Sequence, residues 1–482
     1  MVDDIGLTRC ALQPEPLAGK RVTVLGLARQ WTALVRFLAR EGAEVTVSDM
    51  RDAEALCEAL EALEGVPARY VLGEHPPSIL DGADLLCLSG GVPIDAPIVV
   101  QARQRGIPLS NDAQIFLERC PAPIVGITGS SGKTTTTAMV GRMLQCGRFL
   151  TWVGGNIGRP LVDRVWEIKE SDRVVMELSS FQLELMTVSP DVATVLNVTP
   201  NHLDRHKTMA VYTAAKQRIL DFQSERNLAL LSRDDPGSRA LASAVRGRLA
   251  FFSAQEEVDS AIGAFLKRDG PSLDDEVITL RFDGREYPIC HTREIRLLGR
   301  HNVLNVLAAC VLAGAVGVPV EAIRAVATSF SGVAHRLQLI RTLKEVRYYD
   351  DSIATAPERT VAALRAFDAP IVLLAGGRDK ALPWEEMARV TLERVRHVVA
   401  FGEAAGLVER VITEARAKSE PGVRARFENL TRVETLEEAV AVAARVAHPG
   451  DVVLLSPGGT SFDAFRDFAE RGDRFQVLVR ML

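Results

Sequence analysis

The chain has 482 residues, 47% apolar and 25% charged, with a net charge of −5. That length and balance predict about three globular domains with full cores and exclude the basic surplus of a nucleic-acid binder. The seven cysteines are scattered without C-x-x-C pairs, and the start, MVDDIGLTRC, is acidic with no apolar signal segment. Both features lead to the expectation of reduced thiols in a cytoplasmic protein.

The first domain is expected over residues 1–120. "GKRVTVLGLARQ" reads as a strand at 22–25, a turn at Gly26 and a helix over 30–41, which Gly42 ends. "AEVTVSD" is the next strand, closing a βαβ unit at Asp49. A dinucleotide fingerprint needs glycines at 28 and 31, where Ala28 and Trp31 stand, and this argues against NAD or FAD. Further strands are expected at 84–88, before "SGGVP", and near 107–109. The alternation predicts a parallel sheet.

The second domain, 121–333, opens with "VGITGSSGKTTTTAM". Glycines let backbone N–H groups approach an anion, Lys133 adds a charge and a Thr hydroxyl can hold Mg²⁺. The motif is a short G-x-x-G-K-T around Gly129, with an extra Gly126; the longer phosphate loop would need glycine where Ile127 stands. An ordinary strand-to-helix turn is the alternative. "VVMELSSFQLE" and "VATVLNVTPNHLD" read as strands whose polar C-terminal ends face a site. Glu177, at one such end, suits Mg²⁺ as well as it suits a solvated strand end.

His202 and His206 lie four apart in "NHLDRH" and would share one helix face, a spacing that allows zinc. Leu203 at the base position of H-E-x-x-H argues against a metalloprotease; a surface helix start or a single His ligand for Mg²⁺ remain open. "VYTAAKQRIL" puts Lys216 on a helix one turn after Tyr212. Residues 255–295 predict edge hairpins. The uncharged run 303–320 reads as a buried helix plus turn instead of a membrane span. Asn302 and Asn305 share one helix face, suited to a purine edge or, for Asn302, to capping.

The third domain, 334–482, carries the strands "RYYDDS", "IVLLAGG", "HVVAFG" and "DVVLLSPGG", a second doubly wound unit. Arg336, Asp351, Ser352, Thr355, Arg378 and Lys380 fall near strand ends. Ser461 is expected at a helix start, with Phe465 and Phe468 three apart. Cations beside helix N-termini suit a small carboxylate ligand.

In order, "GITGSSGKTTTT", "GGNIGRP", "ELSSFQLE", "NVTPNHLDRH", "AAKQRI", "GRHNVLNVLAA", "AHRLQ", "DDSIATAPE" and "SPGGTSFDAFRDFAERGDRF" resemble the Mur ligase family across the whole chain. The last motif is similar to its glutamate-adding branch. The resemblance implies an α/β fold of three domains: a Rossmann-like first, a central P-loop ATPase-like parallel sheet and a Rossmann-like third. It implies ATP-dependent joining of D-glutamate to UDP-N-acetylmuramoyl-L-alanine through an acyl phosphate, by a cytoplasmic monomer with no membrane span.

The resemblance also implies roles. Gly129, Ser130, Ser131, Gly132, Lys133, Thr134 and Thr135 would cradle ATP, with Asn302, Asn305, Arg336 and Asp351 holding the rest of it. Thr134 and Glu177 would bind a first Mg²⁺, and His202 with a carbamylated Lys216 a second. Asn156 would touch the reacting end of the nucleotide sugar. Gly26, Leu27, Ala28, Asp49, Arg51, Ser89 and Gly90 would bind UDP, and Thr355, Lys380, Ser461 and Phe468 glutamate. Ile353 replaces a lysine common in relatives, Asn201 an aspartate, and "GSSGK" stands for "GTNGK" or "GSNGK". Addition of L-glutamate, as in a related branch, and a folylpolyglutamate synthase are the alternatives. An NAD oxidoreductase would need the glycines missing at 28 and 31, and a non-catalytic nucleotide binder would keep Lys133 but leave His202, Lys216 and Lys380 without purpose.

Overall fold

The computed structural model describes residues 14–27, 29–201, 203–270, 275–297, 299–380, 382–418 and 426–482. The chain divides into two compact units, Met1–Phe330 and Ser331–Leu482. Three sheets, two in the first unit and one in the second, give the three-domain α/β architecture.

The first sheet comprises β1 (Arg21–Leu25), β2 (Glu44–Asp49), β3 (Ala68–Leu72), β4 (Leu85–Leu88) and β5 (Leu109–Ser110), all parallel in the order β3-β2-β1-β4-β5. The order reverses between β1 and β4, the switch point at which open α/β sheets bind ligands. Val22, Val24 and Leu25 are buried in β1, and the helix Arg29–Arg40 lays Ala33, Leu34, Phe37 and Leu38 against the sheet. Gly26 must turn sharply there: its φ is +86°, and a Cβ would meet Ser89 Oγ at 2.5 Å.

The second sheet comprises β6 (Ile124–Thr128), β7 (Thr151–Gly155), β8 (Arg173–Glu177), β9 (Val192–Val195), β10 (Leu228–Ser232), β11 (Arg248–Ser253), β12 (Gly263–Arg268), β13 (Glu276–Phe282) and β14 (Arg285–His291). Its order is β14-β13-β12-β11-β10-β9-β6-β8-β7, parallel from β7 to β12, with an antiparallel β13–β14 hairpin at the edge. The uncharged run forms the helix Arg300–Ala315, which packs beside Lys133–Cys146 and ends before the positive-φ turn at Gly317. Among the described residues no helix is long and apolar enough to cross a membrane.

The third sheet comprises β15 (Gln338–Leu343), β16 (Val346–Asp350), β17 (Ile371–Gly376), β18 (Val395–Phe401), β19 (Asn429–Arg432) and β20 (Val452–Gly458). Its order is β15-β16-β20-β17-β18-β19, with β15 alone antiparallel to its neighbour. The expected helix start at Ser461 is not there. That residue opens a turn, and the helix Phe468–Met481 begins where the Asp467 carboxylate caps the Glu470 N–H.

Candidate functional site at the ends of the central sheet

Strand β6 delivers the chain into the glycine turn, and Gly132 caps the helix Lys133–Cys146 without any side-chain bond. Its φ is +81°, and a Cβ would lie 2.3 Å from Asn305 Oδ1. Gly126 is no part of this cradle: it lies in β6, where a Cβ would strike Pro190 at 2.3 Å. The loop is braced from β9. Ser130 and Ser131 donate backbone N–H to the carbonyl and side-chain oxygens of Asn197, at 3.0 and 2.9 Å. Lys133 Nζ donates to the Gly129 carbonyl at 2.9 Å, so its ammonium lies over the loop. Thr134 and Thr135, half-buried, open the helix.

Beside the loop, Glu177 ends β8 opposite Ile127 of β6 and Gly155 of β7. It is 2% exposed; Oε1 accepts from Asn156 Nδ2 at 2.9 Å, and Oε2 is buried without a partner. A Cβ on Gly155 would lie 2.3 Å from the Glu177 carbonyl, so this close approach needs glycine.

Lys216, on the helix Met209–Asp221, is 1% exposed with Nζ 4.5 Å from the Tyr212 ring centroid. Burial, aided by the Lys133 charge, lowers its pKa to about 7. Tyr212 OH meets Ser130 Oγ at 3.2 Å, which ties this helix to the loop. His202 lies outside the described residues. His206 does not offer itself to a metal: it is buried, with Nε2 2.9 Å from Ser180 Oγ and Nδ1 2.9 Å from Glu184. Asn302 does not cap its helix, because Gly299 occupies that position and Asn302 lies one turn inside. It accepts from Asn305 Nδ2 at 3.0 Å, while Asn305 Oδ1 lies 3.4 Å from Thr136 Oγ1.

A cavity of about 700 Å³ opens between the first and second sheets. Gly26, Leu27, Asp49, Arg51, Ser89 and Gly90 line it on one side, and Asn156 to Gly158 on the other. Burial of Asp49 is outweighed by bonds from Arg51 and the Leu27 N–H, which hold the carboxyl at about 2. Ala28 lies outside the described residues.

In the second unit, Lys380 Nζ donates to Thr355 Oγ1 at 3.4 Å, and burial with the nearby Arg359 charge lowers its pKa. Ser461 is buried and Phe468 half-buried. Asp351 is buried, accepting from the Ser456 hydroxyl at 2.8 Å; Arg336 is exposed. Sequence reasoning missed Arg471, fully buried in "FAERGDRF". It donates to Ser352 and to the carbonyls of Gly459 and Thr460, and so ties together the loops that carry Asp351 and Ser461.

Residues 127–313 match the Mur ligase middle domain, 335–459 the Mur ligase glutamate ligase domain and 20–111 the Mur ligase MurD-like N-terminal domain. The chain is 40% identical over 467 residues to the UDP-N-acetylmuramoylalanine–D-glutamate ligase of Acetivibrio thermocellus, covering 97% of each. The chain belongs to the Mur ligase family. It is also 41% identical over 466 residues to the enzyme of that name from Symbiobacterium thermophilum, covering 96% of this chain and 98% of that one. The UDP-N-acetylmuramate-alanine ligase of Thermotoga maritima, 20% identical, shares the fold with a TM-score of 0.52 over 96% of this chain and 99% of its own.

The magnesium implied for a Mur ligase fits the strand ends. The orphaned Glu177 oxygen is a hard, buried, anionic donor, and the Thr134 hydroxyl opens the adjacent helix. No group of three His, Cys, Asp or Glu forms a complete cage among the described residues. Mg²⁺ takes one or two carboxylates and fills its shell with water and phosphate oxygens, so the Glu177 carboxylate beside a Thr hydroxyl is the kind of donor pair it uses.

Proposed function

We propose that this Mur ligase joins D-glutamate to UDP-N-acetylmuramoyl-L-alanine at the expense of ATP, in the cytoplasm, as a step of peptidoglycan synthesis. The observation that carries the phosphoryl chemistry is the partnerless Glu177 oxygen beside a glycine–lysine loop. The choice of amino acid rests on the near-full-length relatives named for D-glutamate.

In this reading the nucleotide sugar lies in the cavity with its alanyl carboxylate toward Asn156. A carboxylate oxygen bonds to the γ-phosphorus of ATP and ADP leaves. The glutamate amine then attacks the acyl carbon, loses a proton, and phosphate departs. Gly129, Ser130 and Ser131 shape the turn, while Lys133 and the N–H groups of residues 132–135 hold the phosphates and offset the charge that builds on them. Bound Mg²⁺, two ions in this reading, supplies further neutralisation, with Thr134 and Glu177 holding one and His202 and Lys216 the other. A lysine can serve only if its charge is removed. Burial beside Lys133 leaves Lys216 substantially neutral near pH 7, and the neutral amine is the form that captures CO₂ as an anionic carbamate. Asn302, Asn305, Arg336 and Asp351 bind the remainder of ATP; Thr355, Lys380, Ser461 and Phe468 surround glutamate.

The test is phosphate release from ATP with UDP-N-acetylmuramoyl-L-alanine and D-glutamate, L-glutamate or no amino acid, with the mass of the Lys216 peptide measured under non-denaturing digestion. Release with D-glutamate alone and an added carboxyl mass are expected. Product with L-glutamate alone would trace to the Ile353 departure and overturn the stereochemical assignment. An unmodified Lys216 in fully active protein would overturn the carbamate.

A further inference from the structure

His75 lines the cavity between the first two sheets, just beyond β3, and has no role in the reading above. Its ring is set by Ser48, at the end of β2. The Ser48 hydroxyl lies 3.0 Å from the Glu74 carbonyl oxygen and 2.7 Å from His75 Nδ1. A carbonyl only accepts, so the single hydroxyl proton goes to Glu74. The Ser48 oxygen must then accept from His75, which places the ring proton on Nδ1. Nε2 is left with a lone pair and, among the described residues, no hydrogen bond. Burial keeps the imidazole pKa below its ordinary value against the opposing Asp49 charge, so at neutral pH the ring presents an acceptor.

The position of His75 in the cavity says what that acceptor meets. One end of the cavity is formed by Asn156–Gly158, next to Glu177 and the phosphate loop. The reacting end of a nucleotide sugar must lie there. The nucleobase then falls at the opposite end, at the tips of β2 and β3, where His75 stands beside Asp49 and Met50. Asp49 is already committed to Arg51 and Leu27, and Met50, 64% exposed, offers apolar surface to a flat ring. Uracil carries an N3–H between two carbonyls; cytosine has a bare N3. We propose that His75 reads the base of the nucleotide sugar, its Nε2 accepting the uracil N3–H and so selecting uridine over cytidine nucleotides. The proposal rests on the nucleotide-sugar reading of the cavity.

Calorimetric titration of the full-length protein with UDP and with CDP tests it, using the parent, His75→Phe and His75→Gln. The parent should bind UDP about tenfold or more tighter than CDP, the discrimination expected of a buried hydrogen bond to a base edge. His75→Phe should lose roughly that factor for UDP, leave CDP unchanged and keep kcat at saturating nucleotide sugar. His75→Gln, whose amide oxygen can accept, should restore part of the preference. Unchanged ATP affinity shows that the variants are folded. An equal UDP-to-CDP ratio in the parent and His75→Phe overturns the assignment. A parent that binds neither nucleotide overturns the nucleotide-sugar reading, and the role of His75 with it.

Discussion

Lys133 and Asp351 show how single groups carry the predicted chemistry. Lys133 is half-buried and supports no core, so Lys133→Ala should fold normally. Removing one charged contact from a site that works by electrostatics costs about 3 kcal/mol, a loss of roughly a hundredfold or more in kcat. Near-parental ligation by a variant of parental melting temperature would refute the role given to the loop. Asp351 is a buried acid. Burial lifts its pKa from 3.8 to about 7, although the Ser456 hydroxyl, the Leu337 N–H and Arg336 pull the other way. The folded protein thus keeps a proton that the unfolded chain releases above pH 3.8. The stability this group contributes is full below that value and is lost as pH rises through about 7. Asp351→Asn should therefore melt a few degrees above the parent near pH 8 and lose that advantage near pH 4, roughly the scale of a 1 kcal/mol change or more. An equal shift at both pH values in calorimetry would show that its ionisation is irrelevant.

The helix Lys133–Cys146 is the element on which the site depends, and its start is set by a glycine that two constraints make obligatory. Gly132 has a left-handed φ of +81°, and Asn305 Oδ1 occupies the space a Cβ would need. Holding alanine in that conformation costs about 1–2 kcal/mol before any clash. Gly132→Ala should weaken ATP binding by tenfold or more while the rest of the sheet persists, since the loop must shift to clear Asn305. Measured against Asn305→Ala alone, which carries the loss of the ATP contact proposed for that residue, the double variant Gly132→Ala/Asn305→Ala is free of the clash but not of the backbone cost, so it should still bind nucleotide more weakly. Equal affinity of the two in a nucleotide titration would mean that the backbone conformation is without consequence.

Within the first unit, the domains of the two sheets are fastened around the cavity. The Asn111 side chain caps the helix Asp112–Arg119 by accepting from the Gln114 N–H, and it donates to the Gln182 carbonyl at 2.8 Å. Gln114 and Thr187 bond reciprocally, and Trp166 stacks on Phe37 with centroids 5.0 Å apart. Asn111 is 2% exposed, so Asn111→Ala leaves buried polar groups unpaired at a cost of roughly 1–3 kcal/mol. The melting temperature should fall, and UDP affinity should fall with it because the cavity walls come from both domains. Lost stability with unchanged UDP affinity would show that the fastening does not shape the cavity.

The amino-acid order alone determined what local chemistry determines. Apolar runs and glycine turns marked β1, β2 and β6 and, in the third sheet, β16, β17, β18 and β20, but not its first strand β15. The short glycine–lysine–threonine turn declared itself at the end of β6, and Tyr212 fell one helical turn before Lys216, as their spacing requires. Weakly patterned strands such as β3 and β7 were not legible, because they are held by neighbours in the sheet more than by their own pattern. Neither was the support of the loop. Thr136 and Asn305 lie 169 residues apart, and only tertiary packing brings that asparagine under Gly132. Spacing paired His206 with His202, but the fold gave it to Ser180 and Glu184. Helical periodicity cannot report a partner on another element. The buried state of Lys216 and the open acceptor of His75 have the same origin: each depends on desolvation and on a hydrogen bond or charge from a distant strand or loop, and those exist only once the chain has folded.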